Sequence, residues 1–119
     1  MIQELATNGI VDEYDSGNWH VVKHANGEVD MFYRESGLSL KPETSWGYSY
    51  YTKDYVQTFP VELKRIENIR GDVDGTVTCS VDIRQATLAN VTYVFTCYSH
   101  SWDTISPVSV SLYVRGKYK

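Results

Sequence analysis

The chain has 119 residues and a formal net charge of -4. That is enough for one domain with its own core, without the basic stripe that a phosphate backbone requires, so no nucleic-acid partner is expected. Val, Ile, Thr, Tyr, Phe and Trp together supply 46 residues and Ala and Leu only 10; this bias suits pleated, half-buried strands and excludes a helical bundle or an alternating α/β chain.

Residues 1–17 are polar and aperiodic, with Asn8-Gly9 and Ser16-Gly17, and read as a linker or N-terminal arm ahead of a domain over 18–119. No basic stretch followed by an apolar one opens the chain, so no signal peptide is expected. Trp19–His24 reads as a strand. Ala25-Asn26-Gly27 follows as a hairpin turn, with Asn-Gly supplying positive φ angles. In the returning strand, residues 28–34, Val29, Met31 and Tyr33 share one face and Asp30, Phe32 and Arg34 the other. Gly37 and Pro42 punctuate a loop or short strand. Residues 46–52 are aromatic and strand-like, with Tyr48 and Tyr50 on one face and Tyr51 on the other. Another strand spans 56–63, where Pro60 lacks an amide donor and suits an edge, a bulge or a strand start. Residues 64–70 continue it, and 71–75 read as a turn.

The clearest alternations come next. Val77, Cys79, Val81 and Ile83 share a face; so do Val91, Tyr93, Phe95 and Cys97; so do Val108, Val110, Leu112 and Val114. The whole predicts an all-β domain, an antiparallel β-sandwich of seven or eight strands, jelly-roll-like. Chain order alone does not separate that topology from an immunoglobulin-like one, although the immunoglobulin Trp between two cysteines is missing. No apolar run approaches the roughly 18 residues of a membrane span, so no membrane insertion is expected.

The polar chemistry is sparse. Two cysteines are too few for a closed zinc site and read as small core residues, with one disulfide between neighbouring strands open to them in an oxidising medium. His20 and His24, on one strand, are about 13 Å apart, too far to share a metal. No Gly-x-Ser-x-Gly is present, and no cysteine has a recognisable histidine partner. Asp72-Val73-Asp74-Gly75 resembles a fragment of a calcium loop without the remainder. No catalytic residues, metal or cofactor are expected.

Two stretches carry a likeness. The run Trp19-His20-Val21-Val22-Lys23-His24-Ala25-Asn26-Gly27-Glu28-Val29-Asp30-Met31-Phe32 resembles the pattern W-x-Y-R-K-W-x-x-G-x-x-E-x-W. Trp19, Lys23, Gly27, Asp30 and Phe32 fall in register, while Val22 and His24 depart from it. Trp46-Gly47-Tyr48-Ser49-Tyr50-Tyr51, then Phe59-Pro60, and finally Arg115-Gly116-Lys117-Tyr118-Lys119 continue the likeness over residues 15–119. These motifs are similar to those of C-terminal head domains in tail-fibre and receptor-binding (tail-tip) proteins of phages and prophages of Gram-positive hosts. The resemblance implies a non-enzymatic receptor-binding head on a virion tail, made in the bacterial host cytoplasm, a homotrimer with its own copies, and a host cell-surface saccharide as partner. It equally allows a structural trimerisation or capping domain. It carries no fixed set of binding residues.

Saccharide rings pack their C–H faces on aromatic side chains while their hydroxyls pair with polar groups. On that chemistry Tyr98, His100, Trp102 and Asp103 form the best local match, between two strong strands where a connecting loop is expected. Tyr48, Tyr50 and Tyr51 are a second candidate surface. Trp19 and Phe32 are expected to be structural parts of the first hairpin.

Overall fold

The three clean alternations become walls of a two-sheet sandwich. The computed structural model describes residues 9–46, 49–74, 79–97 and 104–119. Among them there are ten strands and no helix: β1 (Ile10–Ser16), β2 (Trp19–His24), β3 (Glu28–Leu40), β4 (Thr44–Trp46), β5 (Ser49–Tyr51), β6 (Tyr55–Thr58), β7 (Arg65–Asp74), β8 (Cys79–Ala86), β9 (Asn90–Cys97) and β10 (Ile105–Lys117). Every pairing is antiparallel. The antiparallel sandwich is therefore as expected, with more strands than seven or eight.

One sheet runs β1-β2-β3-β10-β7. Its long central pair places Tyr33 opposite Leu112 and Met31 opposite Val114. The second sheet is organised around β9. The strand β8 lines one edge of β9 from Cys97 to Val91, so β5 and β6 share the other edge, with β4 beyond β5. Thr52 bridges the gap between β5 and β6. Its amide donates to the Phe95 carbonyl at 3.1 Å, and the Phe95 amide donates to Thr52 Oγ1 at 3.1 Å. A hydroxyl thus substitutes for a ladder carbonyl where the chain departs from the strand.

The core lies between the sheets. Val21, Val29, Met31, Val110, Leu112 and Val114 from the first sheet meet Val91, Tyr93, Phe95 and Cys97 from the second, and all are buried. Phe59 and Leu63 plug one side, their amides donating to the carbonyls of Ala89 and Leu88. The molecule is long for its width, 56 × 23 × 23 Å.

Several local expectations change. Residues 65–70, expected to continue the strand before them, instead open β7 in the other sheet. Ile10–Ser16, inside the stretch read as a linker or arm, is an edge strand that pairs with β2 from Ile10↔His24 to Ser16↔Trp19. Its side chains are largely exposed, which is why it shows no hydrophobic period. At the first hairpin only Gly27 takes a positive φ, +93°; Asn26 does not, and its Oδ1 accepts the Glu28 amide at 3.0 Å instead. The strand expected over 56–63 ends at Thr58, before Phe59-Pro60, because Pro60 has no donor to continue a ladder. Finally, 71–74 are not a turn. They complete β7, with Gly71 opposite Leu112 and Asp72 opposite Ser111. Gly71 is needed there for close packing: a Cβ would sit 2.8 Å from Val81 Cγ1 and 2.9 Å from Leu112 Cδ2.

Candidate functional site

Tyr98, His100, Trp102 and Asp103 lie outside the described residues, as does Tyr48. The described chain leaves the second sheet at Cys97 and enters the first at Ile105.

A concavity lies on the outer face of the second sheet, a groove of about 710 Å³ lined by Thr44, Ser45, Tyr51, Asp82, Arg84 and Val94. Alternation builds it. Along β8, Val81 and Ile83 pack toward the core, which sends Asp82 and Arg84 outward. Along β5, Tyr50 packs against the core and Tyr51 joins the groove, as the alternation of these residues predicts. Register brings the pieces together: Tyr51 stands between Thr44 of β4 and Thr96 of β9, and Asp82 stands opposite Val94. Val94 forms the floor and is only 1% exposed. The Arg84 guanidinium lies 5.8 Å from the Tyr51 ring centroid, and Asp82 accepts a hydrogen bond from the Thr96 hydroxyl. An aromatic ring, a guanidinium, a carboxylate and two hydroxyl side chains thus line one trough. The sequence reading named Tyr51 but missed Asp82, Arg84, Thr44 and Ser45. The alternation along β8 was the available signal for Asp82 and Arg84; which strands flank β9 was not.

The outer face of the first sheet carries a smaller hollow of about 280 Å³, lined by Phe32, Arg34, Arg70, Asp72, Ser111, Leu112 and Tyr113. Phe32 was expected to be a closing structural aromatic. It is 44% exposed and rests against Tyr113, ring centroids 5.1 Å apart. Arg70 covers the Tyr113 ring at 5.0 Å. The Tyr113 hydroxyl donates to Asp30 at 2.6 Å; burial first, and then that bond, pushes its pKa up to about 12. Asp30 also takes His24 Nε2 at 2.8 Å and Arg115 at 3.2 Å. Arg34 donates to Ser111 at 2.9 Å. The charges of this face are largely engaged with one another.

Both described histidines have carboxylate partners. His20 lies 2.6 Å from Asp15 and 2.7 Å from Glu13, and those bonds, Asp15 first, raise its pKa. Among the described residues no group of three or more His, Cys, Asp or Glu side chains is placed to hold a metal ion. Asp72 and Asp74 stand in a strand, not in a loop that wraps an ion. Cys79 and Cys97 are buried core residues, directly opposed across β8 and β9.

The sandwich has counterparts among solved structures. It aligns over 88% of its length with the P. aeruginosa R1 pyocin fibre comprising C-terminal residues 323–701, at a TM-score of 0.60 and 12% identity. This chain has the fold of a pyocin tail-fibre domain. The alignment spans 27% of that fibre chain. A second structure, an N-truncated R1-type pyocin tail fibre, aligns over 88% of this chain and 84% of its own, at a TM-score of 0.58 and 12% identity. No protein-family model matches the sequence, and no curated protein matches it.

Proposed function

We propose that this chain is a tail-fibre domain of a phage or phage-like particle, carried on the virion tail, which adheres to a saccharide of the host cell surface and catalyses no reaction. The observation that carries the reading is the alignment of 88% of the chain with pyocin tail fibres at TM-scores of 0.60 and 0.58. The tail-fibre motifs in the sequence, from the Trp19 hairpin to the Tyr118 ending, support it independently. They point to Gram-positive hosts; the solved counterparts come from P. aeruginosa and R1-type pyocin.

Two places suit saccharide contact: the groove of Tyr51 and Arg84, and the segment with Tyr98, His100, Trp102 and Asp103. The groove offers an aromatic face beside hydrogen-bonding groups, and the segment contains the same residue types. Single-site carbohydrate affinity is weak, so three copies in a homotrimer raise avidity without new contacts. The exposed Phe32 and its Tyr113 neighbour give the first sheet an aromatic centre suited to the subunit contact.

A glycan array and host-cell adsorption, run on the assembled protein, test the reading. Wild type is expected to bind, and Tyr51→Ala or Trp102→Ala to lose most binding while melting as wild type does. Sedimentation should report three chains. A well-folded trimer that retains no saccharide and adsorbs to no host cell would leave the capping role instead. Released sugars on incubation with cell-wall fragments would make the domain an enzyme.

A further inference from the structure

One residue of the groove on the second sheet is set apart by the backbone. Ile83 stands opposite Tyr93 and Gln85 opposite Thr92, so Arg84 is an extra residue of β8 with no register partner on β9. A bulge of this kind bends its strand and re-aims a side chain. Here the side chain is a guanidinium in the groove wall, 5.8 Å from the Tyr51 ring centroid.

The charge of Arg84 has no counter-charge in contact with it. Arg34, Arg65 and Arg115 each hold a carboxylate, whereas among the described residues Arg84 forms no ion pair. Asp82 lies two positions back on the same strand, about 7 Å along the backbone, and its carboxylate takes the Thr96 hydroxyl instead. A guanidinium stays protonated at any pH the fold meets, and its planar fork of N–H donors matches a carboxylate or a phosphate with two parallel bonds. The groove thus combines a cationic fork with the aromatic ring of Tyr51 and with the hydroxyl partners Thr44, Ser45 and Asp82.

We infer that, within the adhesion reading on which this rests, the groove takes an anionic saccharide, a sugar that carries a carboxylate or a phosphate, and that Arg84 is the residue that selects the charge. The anionic group pairs with the Arg84 guanidinium while the C–H face of the sugar packs on Tyr51 and its hydroxyls pair with Asp82, Thr44 and Ser45. A neutral sugar makes the same packing and hydroxyl contacts but leaves Arg84 to water. Asp82 repels an anionic group placed beside it, so the two side chains also set which end of the sugar lies at Arg84. The net charge of -4 repels anions at long range; the selectivity therefore comes from contact inside the groove and not from electrostatic steering.

The experiment presents the assembled protein with a glycan array that carries uronic-acid and phosphate-bearing oligosaccharides beside the same glycans after carboxyl reduction or dephosphorylation. Wild type is expected to bind an acidic glycan roughly tenfold more tightly than its neutral counterpart, the strength of a charge-assisted bond reduced by exposure. The arm that shows the preference tells carboxylate from phosphate. The preference should shrink as salt is raised. Arg84→Gln should lose it, and Arg84→Lys, which keeps the charge without the fork, should retain part of it. Arg84 is exposed, so both variants should melt as wild type does, and the comparison of acidic with neutral glycans on wild type needs no variant at all. Equal binding of acidic and neutral forms would overturn the proposal and leave the adhesion reading standing, as would a preference that survives Arg84→Gln. A folded protein that binds none of these glycans would overturn it too; if that protein also adsorbs to no host cell, the adhesion reading falls with it.

Discussion

The hydroxyl of Tyr118 donates to the backbone carbonyl of His24 at 2.9 Å, across 94 residues of chain. The Tyr118 amide donates to the Gly27 carbonyl at 2.9 Å, and the Lys23 ammonium lies 5.1 Å from the Tyr118 ring centroid. Nearby, Arg115 pairs with Glu28 and Asp30. The first hairpin and the final residues, the two ends of the tail-fibre likeness, are thus one structural unit. Tyr118→Phe keeps the ring against Lys23 and removes the hydroxyl bond, which should cost about 1 kcal/mol. Urea unfolding of the two proteins measures it, and equal midpoints would mean that the bond is open in solution.

Trp19 is 7% exposed, with Tyr33 at 5.1 Å and Phe59 edge-on at 5.8 Å. It therefore joins the first hairpin to the plug over the core. Trp19→Ala should cost about 3–5 kcal/mol, a large part of a total stability of about 5–15 kcal/mol. Thermal melting reads the loss; a wild-type curve would place the indole in solvent.

Gly116 is constrained by contact. A Cβ there would lie 2.4 Å from the Arg65 carbonyl oxygen and 2.9 Å from Leu63 Cδ1. The oxygen belongs to a strand that pairs with β10 at this point, where the register slips between Arg115 and Gly116. It cannot withdraw as a flexible side chain would. Gly116→Ala should destabilise by about 1–3 kcal/mol, whereas alanine normally favours a strand over glycine by lowering the entropy of the unfolded chain. A variant as stable as wild type would show that β7 and β10 separate easily here.

His20 binds a proton more tightly in the folded chain than in the unfolded one, because of Asp15 first and Glu13 second. Its contribution to stability is therefore fully present below the unfolded value of about 6.5 and is lost as pH rises through the higher folded value. The group is exposed, so the effect is small and weakens with salt. An NMR titration should place the His20 imidazole above 6.5, with a lower midpoint in Asp15→Asn. The stability difference between wild type and His20→Gln should be largest in mild acid and vanish in alkali. A titration midpoint unaffected by Asp15→Asn would separate the two side chains in solution.

The strand class and the core faces were legible in the residues themselves. Val91, Tyr93, Phe95 and Cys97 alternate at period two because each must reach the same core, and that constraint is local to one strand. The inward Tyr50 and outward Tyr51 follow from the same rule. Strand pairing is not local. Nothing in Ile10–Ser16 announces a strand, since its exposed edge asks little of its side chains and only the backbone of β2 secures it. Likewise Val94 and Thr96 occupy alternation positions that face away from the core, yet both are buried, because Tyr51, Asp82 and Arg84 arrive from β5 and β8 to cover or line that side. The sequence by itself determined which side chains turn inward; the groove, the exposed Phe32 face and the facing pair of thiols were decided by which distant strands came to lie side by side.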